Sequence, residues 1–164
     1  WLFAHYVIAR KIANLERTSL LKSASEHFNT KLFTPNPTPE LPLIHNMGSV
    51  DYQRQMPYVF KNSAINLNIS LRSIRSGIPL RCFDIMGCGG FLLSNYQGDF
   101  YEHFVPGEDL VLFESQEDFL NKCDYYLKHD NERRQIAANG YGKVKEFHTY
   151  EVRLKEIFKV VFSK

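Results

Sequence analysis

Residues Ala64–Gln97 read AINLNISLRSIRSGIPLRCFDIMGCGGFLLSNYQ, and they restrict the possible folds more than any other stretch of the chain. Apolar and amide side chains alternate from Ala64 to Ile69 and run on into Ser70, the pattern of a strand with one apolar face. A polar loop with Arg72, Ser73, Arg75, Ser76 and Gly77 follows. A helix is then predicted from about Ile78-Pro79, because proline is tolerated in a first turn, where its missing N–H costs nothing. Phe83, Met86 and Gly87 share its expected inner face, and Gly89-Gly90 ends it. Phe91-Leu92-Leu93 reads as a second buried strand. Such a strand–loop–helix–strand unit points backbone N–H groups beyond the strand end. With arginines beside those groups, the expected ligand is an anion.

The rest of the chain repeats the alternation of strand and helix. Five strands are expected, near 31–34, 43–46, 64–70, 91–94 and 110–113. Pro35, Pro37 and Pro39 stop the first of them. Trp1 to about Phe28 reads as helical, with Leu2, Tyr6, Ile8, Ile12 and Leu15 at rough helical spacing and a break expected near Asn14. Asp51 suits a helix N-cap, with Tyr52, Met56, Val59 and Phe60 as the expected buried stripe and Pro57 as a bend or early stop. Ser115 opens a helix through Leu127, Asn131 caps one reaching Phe147, and Thr149 caps the last, through Phe162. Strands alternating with helices imply a parallel sheet covered on both faces, a Rossmann-like three-layer α/β sandwich. Its ligand is expected beyond the carboxyl ends of the strands.

Length and composition narrow the class. At 164 residues the chain is one domain, long enough to bury roughly 70% of its unfolded surface. A formal charge of +2 gives no bulk electrostatic case for nucleic acid. No apolar run is long enough to span a bilayer, and no signal peptide is visible. Cys82, Cys88 and Cys123 form no CxxC pair and have no histidines at ligand spacing, so reduced thiols in a cytoplasm are expected and zinc is not. No GxGxxG or phosphate-loop lysine signature is present, which disfavours a dinucleotide oxidoreductase and a phosphate-loop ATPase. The first residue is Trp1 rather than methionine, which reads as a piece of a longer protein.

The best candidate site is the helix opening at Gly77-Ile78-Pro79 with Arg72, Arg75 and Arg81 around it, since guanidinium forks match phosphate. Asp84 lies among apolar neighbours and needs a partner, because an isolated buried charge is costly. One reading for it is a structural salt bridge with Arg81 or Arg72. Asn66 and Asn68 share one face of the central strand and suit hydrogen bonds to loops.

The segments SAINLNI, SGIPLR and FDIMGCGGFLLSNYQ, the later Pro106-Gly107 and the terminal HTYEVR occur in an order that resembles the group 1-like glycosyltransferases of the spore-maturation (CgeB-like) type. The resemblance is to their C-terminal, nucleotide-sugar-binding half, part of a GT-B fold, and it covers nearly the whole chain. It implies a bacterial cytoplasmic enzyme with a nucleotide-diphosphate sugar as donor, no separate cofactor and no obligate metal. It also implies an acceptor held by an N-terminal domain of the same protein. Arg81 stands three positions before Asp84, as an arginine does in the family, and takes first rank among the arginines, ahead of Arg72 and Arg75. Asp84 falls where the family's acid, usually glutamate, accepts the donor's ribose hydroxyls. Ser76 stands where many retaining members carry a second glutamate, so the stereochemical course stays open. Ser76, Gly77, Ile78 and Pro79 would frame the diphosphate, His45 and Gly48 the base, and Tyr96 the sugar. The alternative is a non-catalytic Rossmann-like interaction module; a flavodoxin-like signalling domain lacks its acidic cluster.

Overall fold

The computed structural model describes residues 7–70 and 76–162. All five expected strands are present, and every pairing is parallel: β1 (Lys31–Leu32) with β2 (His45–Asn46), and β3 (Asn66–Asn68), β4 (Leu92–Asn95) and β5 (Val111–Phe113) in that spatial order. They form one sheet of two strands and one of three. β1 stops after Leu32, short of the proline-rich segment that cannot donate to a ladder.

The three-stranded sheet carries apolar side chains on both faces, as a covered parallel sheet must. On one face Phe91, Leu93, Val111 and Phe113 pack against Ala24 of α1 (Ala9–His27), Phe119, Cys123 and Tyr126 of α5 (Gln116–Lys128), and Ile136 and Ala137 of α6 (Asp130–Phe147). On the other, Leu92 and Leu112 meet Phe60 of α2 (Met56–Asn62), Cys82, Ile85 and Met86 of α3 (Leu80–Gly87), and Phe100 of α4 (Phe100–His103). α7 (Tyr150–Phe162) follows α6, with the Thr149 hydroxyl accepting from Val152 N–H at 3.3 Å as its cap.

Several local expectations are corrected. α1 runs unbroken through Asn14, and its buried positions are Ala13 and Ala24 rather than Ile8, Ile12 and Leu15, which are exposed. Leu2 and Tyr6 lie outside the described residues. The Asp51 carboxylate caps a turn, accepting from Gln53 and Arg54 N–H at 3.0 and 2.6 Å, and α2 starts only at Met56. Pro57 therefore falls in the first turn of α2, where it bends nothing. Tyr52 lies on that turn, 49% exposed, instead of in a buried stripe.

α3 turns Cys82, Ile85 and Met86 inward, a face at i, i+3 and i+4; Phe83 is half-buried and Gly87 exposed. It ends as expected at the double glycine. Gly89 takes φ +76°, its N–H donates to Met86 O at 2.8 Å, and Gly90 N–H donates to Ile85 O at 2.9 Å, the two bonds of a Schellman close. A Cβ on Gly90 would stand 2.7 Å from both Asn66 Nδ2 and Phe60 O, so this turn must lie against the sheet edge.

Candidate functional site

The carboxyl ends of β3 and β4 are tied together by side chains. Asn68 Nδ2 donates to Ser70 Oγ at 3.1 Å and to Ser94 Oγ at 3.0 Å. Ser70 N–H donates to Asn95 Oδ1 at 2.7 Å, and Ser70 Oγ–H to Gln97 Oε1 at 3.0 Å. Asn66 Nδ2 donates to Phe60 O at 2.9 Å. Asn66, Asn68, Ser70 and Ser94 are all buried, so both asparagines spend their amides on holding strands and α2 together. Just beyond this layer a cleft of about 900 Å3 opens at the carboxyl ends of β3, β4 and β5, walled by α1 and the start of α5.

The opening of α3 lies on the same edge of the sheet. Ser76 and Gly77 are exposed, Ile78 and Pro79 half-buried, and Pro79 is the N-cap. Gly77 takes φ +92°, a left-handed conformation that glycine adopts without a Cβ penalty, and its N–H donates to the Asp99 carboxylate. The amide expected to face a phosphate thus already holds an anionic group of the protein. Arg81 is exposed on the first turn, and Asp84 is half-buried one turn on, so both lie on one face of the helix. The Tyr52 hydroxyl donates to Asp84 Oδ2 at 2.5 Å. Burial, then the bond to Asp84 and its charge, push the Tyr52 phenol up to about 12, with the Arg81 guanidinium working against the rise. Among the described residues no ion pair joins Asp84 to Arg81; the carboxylate's partner is the phenol. Arg72 and Arg75 lie outside the described residues.

The remaining sequence candidates are more scattered. His45 is exposed on β2. Gly48 takes φ +75° and donates its N–H to Asn46 Oδ1 at 2.9 Å, while Asn46 Nδ2 holds Asn36 O at 2.9 Å. The Tyr52–Asp84 bond ties the turn that follows Gly48 to α3, which links two parts of the expected site. Tyr96 lines the cleft; Ser76, Gly77, Ile78, Pro79, Arg81, Asp84, His45 and Gly48 do not.

Tyr52 and Asp99 are the two residues that sequence reasoning missed. Neither carries a local signal: Tyr52 fits a helical stripe equally well, and Asp99 reaches Gly77 across 22 positions of sequence. Chemically, the Asp84 carboxylate takes the Tyr52 phenol on Oδ2, its one hydrogen bond among the described residues, with a guanidinium one turn away. That set suits a vicinal hydroxyl and an adjacent anion. The thiols do not contribute: burial pushes Cys82 and Cys123 up to about 12, which keeps them protonated. Among the described residues no three His, Cys, Asp or Glu side chains converge on a metal-sized site.

The sequence matches the family described as Glycosyl transferase-like over residues 10–159. No curated protein matches it. Among solved structures it is similar to a sucrose-phosphate synthase from Thermosynechococcus elongatus, with 13% identity and a TM-score of 0.71 over 90% of this chain. The chain spans 42% of the length of that synthase, and at such identity the likeness is one of fold: the Rossmann-like half of a GT-B architecture.

Proposed function

Because the chain belongs to the glycosyl transferase-like family, we propose that it is the donor-binding half of a GT-B glycosyltransferase, holding a nucleotide-diphosphate sugar at the opening of α3. The observation that carries this reading is the Tyr52–Asp84 pair with Arg81 one turn away, beside the carboxyl edge of a parallel sheet. In it, Asp84 accepts a ribose hydroxyl on the oxygen that Tyr52 leaves open. Arg81, joined by Arg72, meets the diphosphate. Ser76, Gly77, Ile78 and Pro79 shape the phosphate side, His45 and Gly48 the base side, and Tyr96 the sugar side.

Transfer would then rest on positioning and on charge stabilisation of the leaving diphosphate. Donor binding requires Asp99 to give up the Gly77 N–H or to share it, since two anions do not occupy one amide without cost. The acceptor belongs to a preceding domain of a longer protein, a division supported by the 42% share of the synthase that this chain spans. The CgeB-like subtype, a hexose as the transferred sugar and a cytoplasmic setting without a separate cofactor or metal complete the proposal. Among the described residues no helix is long and apolar enough to cross a membrane.

The test is a thermal-shift screen of nucleosides, nucleoside diphosphates and nucleotide sugars, followed by calorimetry on Arg81→Ala. A nucleoside diphosphate should raise the melting temperature by mass action. Arg81→Ala should weaken diphosphate binding on the order of ten- to a hundredfold and leave nucleoside binding nearly unchanged. No shift with any of these ligands at millimolar concentration refutes the donor site and favours the non-catalytic module. The isolated chain should show no sugar transfer; turnover abolished by Asp84→Ala would overturn the division between donor and acceptor halves.

A further inference from the structure

α7 leaves the rest of the molecule within its first turn. Val152 and Arg153 are half-buried, whereas Tyr150, Glu151 and every residue from Leu154 to Phe162 are exposed. No residue of the helix is buried. A helix placed in this way takes its direction from whatever holds its first turn.

That hold is His148, in the two-residue bend between α6 and α7. Its backbone, at φ −127° and ψ 16°, ends α6. Its ring is seated on the body from three sides: stacked on Phe104 at 5.0 Å, tilted against Phe83 of α3 at 5.2 Å, and edge-on to His103 of α4 at 5.3 Å. Arg153 Nη2 donates to His148 Nδ1 at 2.5 Å, and Arg153 Nη1 donates to Glu156 Oε2 at 2.7 Å. One guanidinium thus joins the seated ring to the first two turns of α7. A guanidinium has donors only, so Nδ1 is the bare nitrogen and the imidazole is neutral.

The charges around the ring favour that neutral form. Burial, then Arg153 and His103, hold its pKa down at about 4, with Lys143 of α6 adding to them and Glu156 opposing. Lys143 is itself paired with the buried Asp109 at 2.7 Å. α3 faces the ring through Phe83.

We propose that His148 and Arg153 form a latch, and that opening it lets α7 swing on the bend at Thr149 while the α/β body stays folded. Closed, the latch fixes where the exposed stripe of Leu154, Ile157, Phe158 and Val161 points. Proton uptake opens it in two ways: Nδ1 stops accepting, and the imidazolium then faces Arg153. Swinging out takes Arg153 away from the charged ring, so acid favours the open form. The latch holds fully above the ordinary 6.5 and weakens as pH falls from there toward 4. Phe83 immediately precedes Asp84, so the seat of the latch lies on the helix that carries the candidate site.

The test is hydrogen–deuterium exchange of the full chain, read by mass spectrometry as protection factors for α7 and, separately, for β3 to β5. His148→Phe keeps an aromatic ring on Phe104 and removes the acceptor. Arg153→Met keeps an aliphatic stem and removes the donor. Each should lower the protection of α7 on the order of fivefold at pH 7 and leave the strands at wild-type protection. From pH 7 to pH 5 the wild-type helix should lose protection by a similar factor, and the helix in His148→Phe should lose none. Wild-type protection of α7 in both variants overturns the latch. So does a loss spread evenly over the strands, or a pH response that survives in His148→Phe.

Discussion

Tyr52→Phe removes one hydroxyl and leaves the ring, so it isolates the bond to Asp84. That bond is 2.5 Å long and ends on a carboxylate, which places it with charge-assisted hydrogen bonds, worth about 1.5–3 kcal/mol when shielded from water. Tyr52 is 49% exposed, however, and exposed charged pairs retain only about 0.2–1 kcal/mol. A value of about 1 kcal/mol follows, or roughly fivefold in an equilibrium constant. If the phenol aims Asp84 at a ribose, calorimetry should show nucleoside and nucleoside diphosphate weakened alike by that factor. Asp84→Asn should weaken both further, and the double variant should be no worse than Asp84→Asn, because the phenol acts only through the carboxylate. Spectroscopic titration of wild type against Tyr52→Phe should assign a phenol titrating near 12 to this residue. Unchanged affinity in Tyr52→Phe, or full additivity of the two substitutions, would refute the argument.

Gly140 packs against Asp109 and Met86, and a Cβ there would collide with the Asp109 carbonyl. Gly140→Ala should therefore cost about 1–3 kcal/mol, lowering Tm by roughly 2–4 °C for each kcal/mol; a wild-type Tm would show that the contact is slack. His148 stacks on Phe104 at 5.0 Å and takes a bond from Arg153 at Nδ1, while burial, then Arg153 and His103, hold its pKa down at about 4. The unfolded chain therefore takes up this proton before the folded one does. The contribution is present above the ordinary 6.5 and is lost as pH falls from there toward 4. Denaturant titrations should show that slope flattened in His148→Gln, and an identical slope would refute the assignment.

The parts of the fold legible in the sequence were those with strong local chemistry. Alternation in Ala64–Ser70, the double glycine at Gly89-Gly90, and the caps at Ser115 and Thr149 each act within a few residues, and each produced the element expected. The continuity of α1 is not legible locally, because Asn14 is merely a mediocre helix former on a solvent face and packing through Ala13 and Ala24 overrides it. The rotation of α3 is only partly legible, since spacing alone does not distinguish the face with Cys82 and Ile85 from the one with Phe83 and Gly87. At the site, the α3 opening with Arg81 and Asp84 was visible as a motif. Tyr52 and Asp99 were not, because each reaches its partner only after the chain has folded across 32 and 22 positions. The cleft is harder still to foresee, being assembled from the ends of three strands and two helices.

β4 has a further consequence as the middle strand of an all-parallel sheet. Its partners are distant in sequence: Asn68 lies 26 positions before Ser94, and β5 is reached only after α4. No hairpin can start this sheet, so every ladder must close a long loop before it returns any stabilisation. During synthesis the Leu92–Asn95 segment emerges with one edge paired at most, and its second edge waits for Val111–Phe113. A nascent chain halted between them exposes an apolar strand edge, the kind of surface that chaperones bind and that aggregates recruit. Slow folding with a late, cooperative closure at β5 follows from the topology itself.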